Sequence, residues 1–449
     1  MPFTFGSSAV FWILSLLCID SLQFISGFLS PLSFPQQTSM SPPQLEDPAT
    51  ALDHSIPPPR RSKRLRDDLL QKQASQREEE TGDKTPLVTA GLLADIQYAP
   101  VPDGYSYSGT PRYYQNSLQV ARLAAAHFER DQMDLLLNLG DIVDGKCQSI
   151  ETHGGTIPNG DKDNAESIGA QCVNHVLEAL QEYQNGVVLH SYGNHCLYNL
   201  DRPNLQQKLG IPFVQESCGD WVGYYSHLVK TKHDDDVNVR FIVLDSYDIC
   251  LLRQVTSQKR QRAVQLLKEK NGDNFAKGLE NSPEGLQGLA KRYVAFNGGV
   301  DERQLTWMQE TLEQARQNQE MCIILSHQPI MPGSTNPICL VWNYTKVLEL
   351  LRSYRDVVAA SFSGHKGGYR RDEKSGIHFR VVEAVLENPH PHATYATLAV
   401  HRHKLELTGF GNCESATYEL DHLELSPQKK PQEAKDVHNA TVAGSSKTV

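Results

Sequence analysis

Five times along this chain an apolar run of strand length ends at a small polar cluster, and this recurrence constrains the fold more than any other feature. Residues 87–94 (LVTAGLLA) stop at Asp95-Ile96-Gln97, and 133–139 (MDLLLNL) stop at Gly140-Asp141, with Asp144 just beyond. Residues 186–192 (GVVLHSY) stop at Gly193-Asn194-His195, and 321–326 (MCIILS) stop at His327. A set of short runs over 356–410, which reads as a sheet with short turns, contains Gly364-His365, and 239–245 (VRFIVLD) adds one more strand. Apolar runs this short, bounded by turn residues, predict buried strands. Between them Tyr113, Leu118, Val120, Leu123, Ala124 and Phe128 fall at helical spacing, and 172–183 carries a second helix. Strand and helix in alternation predict an α/β fold with largely parallel central strands. In such sheets ligands bind beyond the carboxyl ends of the strands.

The sequence places one large domain at 86–425, between a leader (1–85) and a polar tail (426–449). The leader has no Lys or Arg before Arg60, and its apolar run at 9–19 has the length of a signal-peptide core without the charged start. Residues 30–59 are rich in Ser, Pro and Gln and predict a linker. A secretory or signal-led organellar destination is the expectation, or a cytoplasmic one if the leader does not function. The basic cluster Arg60, Arg61, Lys63, Arg64 and Arg66 reads as a solvated charge run or a processing site. Within the domain, the polar stretch 145–170 predicts a loop insertion, and 252–300 predicts a cap added to the core. A net charge of -10 argues against a nucleic-acid partner, no stable membrane span is expected, and the chain is expected to act as a monomer. None of the nine cysteines forms a C-x-x-C pair, so they are expected to be ordinary buried thiols.

Taken singly, the polar clusters mean little. An Asp that closes a strand commonly caps the next helix, and a lone His in apolar surroundings is commonly a hydrogen-bonded core residue. Five clusters on five strand ends are another matter. Carboxylate, amide oxygen and imidazole are donors that suit Mn²⁺, Fe and Zn²⁺, and a carboxylate between two ions bridges them at about 3.5–4 Å.

The series D-x-Q, G-D-x-x-D, G-N-H, S-H-x-P and G-H resembles the calcineurin-like metallophosphoesterases from Asp95 to about Gly411. The strings Asp95-Ile96-Gln97-Tyr98, Arg112-Tyr113-Tyr114, 139–145 (LGDIVDG), 193–199 (GNHCLYN), 339–344 (CLVWNY) and Gly367-Gly368-Tyr369 are similar to the manganese-dependent ADP-ribose/CDP-alcohol diphosphatases. The resemblance implies a layered α/β/β/α fold and hydrolysis of the pyrophosphate in a small nucleotide-diphosphate compound by two divalent metal ions, Mn²⁺ above Fe or Zn²⁺. It also implies the roles of the residues. Asp95 and Gln97 would hold one ion, Asp141 would bridge, Asn194 and His327 would hold the second, and His365 would be a ligand. His195 would stand by the phosphate as general acid or charge stabiliser, and Asp144 would be a support rather than a ligand. Tyr107, Cys339 and Trp342, with Tyr105, would wall a slot for the base. Ordinary packing would account for the same aromatics.

In one place the chain departs from the pattern. Where the family has G-H-x-H before G-G-Y, this chain has Gly364-His365-Lys366-Gly367-Gly368-Tyr369, and one histidine is missing. His365 fits the first histidine by its preceding glycine and the second by its distance to Gly367, and His378 is a candidate substitute. The shortened motif also leaves open a non-catalytic binding protein, and the metal motifs alone leave open a phosphodiesterase or phosphomonoesterase. Cys196 stands where the family usually has Glu. The sequon at Asn343 lies inside a motif expected near the site and is expected to stay unglycosylated, unlike the one at Asn439.

Overall fold

The computed structural model describes residues 85–155, 166–231 and 237–425. The apolar run at 9–19, the linker, the basic cluster, the tail and the Asn439 sequon lie outside the described residues.

In chain order the strands are β1 (Val88–Leu93), β2 (Gly104–Tyr105), β3 (Pro111–Arg112), β4 (Leu135–Asn138), β5 (Val187–His190), β6 (Val214–Gln215), β7 (Trp221–Val222) and β8 (Tyr225–Val229). They continue as β9 (Val239–Val243), β10 (Met321–Ser326), β11 (Val358–Ser363), β12 (Gly368–Arg371), β13 (His378–Val381), β14 (Tyr395–Val400), β15 (Lys404–Phe410) and β16 (Ala416–Glu419). Two six-stranded sheets result, ordered β16-β15-β14-β1-β4-β5 and β12-β13-β11-β10-β9-β8. The central pairs β1–β4, β4–β5, β9–β10, β10–β11 and β11–β13 are parallel, and the outer pairs are antiparallel. Parallel centres with antiparallel edges are common in large α/β sheets.

The apolar alternation within each strand builds the layers. Val88, Ala90 and Leu92 of β1 face Phe241, Val243, Ile323 and Leu325 between the sheets. Leu93 faces outward onto α1 (Asn116–Arg130) and α2 (Ile168–Leu180), and a Cβ on Gly91 would fall 2.3 Å from the Phe128 ring. Ile242, Cys322 and Ile324 of the second sheet pack on α7 (Glu302–Gln317) and α8 (Tyr344–Ser353). Between these lie the short α3 (Asn194–Asn199) and α4 (Arg202–Leu209), then α5 (Gln258–Lys270) and α6 (Gly272–Ala276). The architecture is α/β/β/α, as the resemblance implies.

Three expectations change in detail. The strands of 356–410 do not form one sheet, because β11–β13 complete the second and β14–β15 return to the first. The insertion at 145–170 contains a 3₁₀ turn, Gly145–His153, started by Asp144, whose carboxylate accepts the Lys146 N–H at 2.9 Å. The segment 252–300 caps the fold through α5, yet its end is core. Asn297 is fully buried, and its side chain accepts from Gln328 Nε2 at 2.6 Å.

His190, at the end of β5, yields a prediction. Asn138 Oδ1 accepts the Gly140 N–H at 3.2 Å, which points its Nδ2 N–H at His190 Nδ1, 3.0 Å away. The ring is buried and neutral, and burial pushes its pKa down to about 4 from 6.5. In the unfolded chain it titrates near 6.5, so its stabilisation is complete above that pH and is lost as pH falls from 6.5 towards 4. The loss is about 3 kcal/mol. Urea unfolding at pH 7.5 and pH 5 is expected to show a smaller acid loss for His190→Gln than for the native chain. Equal losses would remove His190 from the acid sensitivity.

Candidate metal centre

The carboxyl ends of β1, β4, β5, β10 and β11 converge at one edge of the sandwich. β1 leads to Asp95, β4 to Asp141, β10 to His327 and β11 to His365, while Asn194 opens α3 after β5. The turns are stitched together: Asp95 N–H donates to Gly140 O at 3.2 Å, Gln97 N–H to Asp141 O at 2.8 Å, and Gly364 N–H to His327 O at 3.1 Å. Four of the site residues hold left-handed backbone, with φ of 51° at Asp95, 41° at Gln97, 53° at Asp141 and 72° at His365. Only two other non-glycine residues among those described do so, Gln132 and Gln319. Such strain collects where surrounding structure over-determines a functional geometry.

Each of Asp95, Asp141, His327 and His365 offers a ligand atom, and these four atoms all lie within 4.8 Å of one another. Asp95, Asp141 and His327 are buried, at 2%, 0% and 0% exposure. His327 Nδ1–H donates to Leu139 O at 2.8 Å, so the other ring nitrogen is turned inward, 3.2 Å from Asp141 Oδ2 and 3.2 Å from His365 Nδ1. Asp95 Oδ2 accepts the His365 N–H at 2.7 Å, and its Oδ1 accepts from Gln97 Nε2 at 3.1 Å. His365 Nε2 is buried without a hydrogen-bond partner.

The charges are arranged to receive a cation. Burial raises the Asp95 carboxyl above its ordinary range, with the Asp141 charge adding to it and His327 opposing. Burial also disfavours charge on Asp141, but His327 and His195 outweigh it and hold this carboxyl well below the usual range. Burial resists protonation of His327, yet the two carboxylates push it up to about 9. Burial and the His327 charge push His365 down to about 3. The Asp141 carboxylate thus faces the His327 imidazolium, and a divalent cation bound here would replace that proton. The donors fit a Mn²⁺, Fe or Zn²⁺ ion.

Asn194 and His195 border this cluster. His195 N–H donates to Asp141 Oδ1 at 2.8 Å, while His195 Nδ1 accepts the Gly145 N–H at 2.8 Å. Gln97 reaches Asp141 Oδ2 with its Nε2 at 3.5 Å. Asp144 is buried, 3.3 Å from His195 Nδ1 and 3.5 Å from Arg112 Nη1. Cys196 is buried behind the centre, where its sulfur accepts the Ile142 N–H at 3.4 Å, and burial pushes the thiol up to about 12.

The remaining candidates scatter. Tyr105 and Tyr107 are exposed on the β2–β3 ribbon, Cys339 is buried at a 3₁₀ turn, and Trp342 is 1% exposed in an apolar cluster with Ala263 and Leu267. His378 does not substitute for the missing histidine, because both ring nitrogens are engaged, by the Tyr369 hydroxyl at 2.8 Å and Glu419 O at 2.9 Å. The Asn343 side chain donates to Val300 O at 2.7 Å and accepts the Val300 N–H at 2.9 Å, which leaves its nitrogen engaged in the fold. Two residues without an assigned role in the sequence touch the centre. Arg112 Nη1 donates to Gln97 Oε1 at 3.2 Å, and the Tyr247 hydroxyl donates to Asn194 Oδ1 at 3.0 Å. Arg112 stands in the string Arg112-Tyr113-Tyr114 that carries part of the resemblance, whereas Tyr247 lies outside every motif quoted above.

No protein-family model matches the chain. It is 36% identical over 334 residues to a manganese-dependent ADP-ribose/CDP-alcohol diphosphatase of Oryza sativa subsp. japonica, covering 73% of this chain and 92% of that protein. A protein of the same name from Arabidopsis thaliana is 34% identical over 339 residues, covering 75% and 98%. Among solved structures, a dimetal phosphatase from Danio rerio superposes with a TM-score of 0.64 at 30% identity, over 75% of this chain and 99% of that one.

Proposed function

Because the chain belongs to the family of manganese-dependent ADP-ribose/CDP-alcohol diphosphatases, we propose that it hydrolyses the pyrophosphate of ADP-ribose, CDP-alcohols or related nucleotides to two phosphomonoesters. The observation that carries this reading is the convergence of Asp95, Asp141, His327 and His365 within 4.8 Å. Asp95 would hold one cation, joined by Gln97 once its amide turns over, because its Nε2 faces Asp95 and Asp141 while its Oε1 accepts from Arg112. Asp141 would hold both cations, Asn194 and His327 the other, with His365 as the remaining ligand. Bound there, two divalent ions, Mn²⁺ above Fe or Zn²⁺, supply positive charge to the phosphoryl oxygens and make water a competent nucleophile near neutral pH.

The protein's own groups complete the site. Because Nδ1 of His195 accepts the Gly145 N–H, the neutral ring carries its proton on Nε2. From there it can donate a hydrogen bond to the leaving phosphate oxygen and stabilise the charge that develops on it. Arg112 donates to Gln97 Oε1 and adds a positive charge at the rim. Tyr107 and Cys339 remain the proposed contacts for the base, whereas Trp342 packs with Ala263 and Leu267.

The test is an assay of the full chain on ADP-ribose and CDP-choline, with Mn²⁺ or with chelator. Release of AMP and CMP only with the metal is the expected result, and intact substrates throughout would sink the reading. The shortened histidine motif favours one rival, a protein that binds nucleotide without cleaving it, and binding without release would establish that rival. A second expectation concerns Gly193, where a Cβ would fall 1.9 Å from Asp141 Oδ1. Gly193→Ala is expected to lower kcat/KM by about 10²-fold through displacement of that carboxylate. Unchanged kcat/KM in a folded variant would refute that placement.

A further inference from the structure

An asparagine can bind a cation only through its amide oxygen, and an unrestrained amide turns either end towards an ion. In this chain the Asn194 amide is held by its oxygen. The Tyr247 hydroxyl donates to Asn194 Oδ1 at 3.0 Å. Tyr247 is itself fully buried, with its ring centre 6.0 Å from that of His327.

Tyr247 has little freedom, because a buried ion pair fixes its backbone at both ends. Its N–H donates to Asp245 Oδ1 at 3.0 Å, and its carbonyl accepts from Arg202 Nη2 at 2.6 Å. Arg202 in turn pairs with Asp245 at 2.5 Å, and both side chains are buried. The loop after β9, on the second sheet, therefore reaches across to orient a side chain that follows β5, on the first.

We propose that Tyr247 is a positioning residue for the metal centre: its hydroxyl, set by the Arg202–Asp245 pair, keeps Asn194 Oδ1 presented to the second cation. The proposal rests on the reading of Asn194 as a ligand given above. Groups that orient metal ligands in this way typically contribute about 10–100-fold to metal affinity or activity.

The experiment compares Tyr247→Phe with the native full chain, using Mn²⁺ alone as the probe. Calorimetric titration is expected to show the weaker of two Mn²⁺ sites weakened by about 10–100-fold. Added Mn²⁺ is expected to restore most of kcat on ADP-ribose. Tyr192→Phe serves as the control, because its buried hydroxyl has no hydrogen-bond partner, and its Mn²⁺ affinity is expected to stay native. Thermal melting in chelator shows that each variant folds. Native Mn²⁺ affinity in Tyr247→Phe overturns the proposal, as does a loss of kcat that no Mn²⁺ concentration restores. If the native chain binds Mn²⁺ and turns over substrate, either result leaves the diphosphatase reading standing. A native chain that binds no Mn²⁺ overturns both.

Discussion

Asp141→Asn is expected to lose about three orders of magnitude or more in kcat/KM on ADP-ribose, at any Mn²⁺ concentration. Asp141 lies at the middle of the cluster. Its Oδ1 accepts the His195 N–H, and its Oδ2 lies 3.2 Å from His327 and 3.5 Å from Gln97. An amide keeps the volume but not the charge, so it cannot serve two cations at once. The nitrogen that replaces one oxygen would face either the His195 N–H or Gln97 Nε2, and donors would then oppose donors. A carboxylate that clamps two ions is worth several kcal/mol of transition-state stabilisation, and about 4 kcal/mol corresponds to about a thousandfold in rate. Metal content measured beside kinetics is expected to fall from two ions towards one. A variant with native metal content and native kcat/KM would exclude Asp141 from the centre.

Asp248→Ala is expected to give the largest loss of stability, about 3–5 kcal/mol. Its carboxylate is fully buried. Oδ1 accepts from Arg253 Nη2 at 2.8 Å and Lys259 Nζ at 2.6 Å, and Oδ2 from Gln304 Nε2 at 3.0 Å. Truncation would strand two buried cations, only partly offset by Glu216 at 2.7 Å from Lys259 and Asp220 at 3.2 Å from Arg253. Burial disfavours the Asp248 charge, but Arg253 and Lys259 outweigh it and hold the carboxyl below its ordinary range. The stabilisation is therefore complete above the ordinary carboxylate range and is lost as pH falls through the lowered folded value. Thermal melting at pH 7.5 is expected to drop by on the order of 5–10 °C, with a smaller difference at pH 3. A variant that melts with the native chain would show the network to be dispensable.

The site was legible because its residues sit on local signals. An apolar run that stops at Asp or His can be read in a window of ten residues, and Asp95, Asp141, His327 and His365 were found that way. What could not be read depends on long-range pairing. Nothing local says that β13 joins one sheet and β14 the other, since both runs are short and apolar. Lys259 reads as one of many charges on a polar helix, and only the fold shows it buried against Asp248 and Glu216. Trp342 illustrates the converse. An aromatic beside a motif suggests a wall for a base, but the ring fills the space beneath α5 with Ala263 and Leu267. The left-handed turns at Asp95, Gln97, Asp141 and His365 carry no glycine, so sequence gave no warning of them.

The centre belongs to neither sheet. Asp95, Asp141 and Asn194 extend from strands of one, His327 and His365 from strands of the other, and the layer between those sheets is mostly apolar. Such a layer is non-directional, so by itself it tolerates a small slide of one sheet over its neighbour. Ligand bonds do not tolerate it. A cation held by both sets would act as a rivet through the sandwich, converting a greasy joint into a fixed one. A change in the packing of Phe241 or Leu92, neither of which holds a cation, would then be felt first as a change in how the two halves of the centre meet.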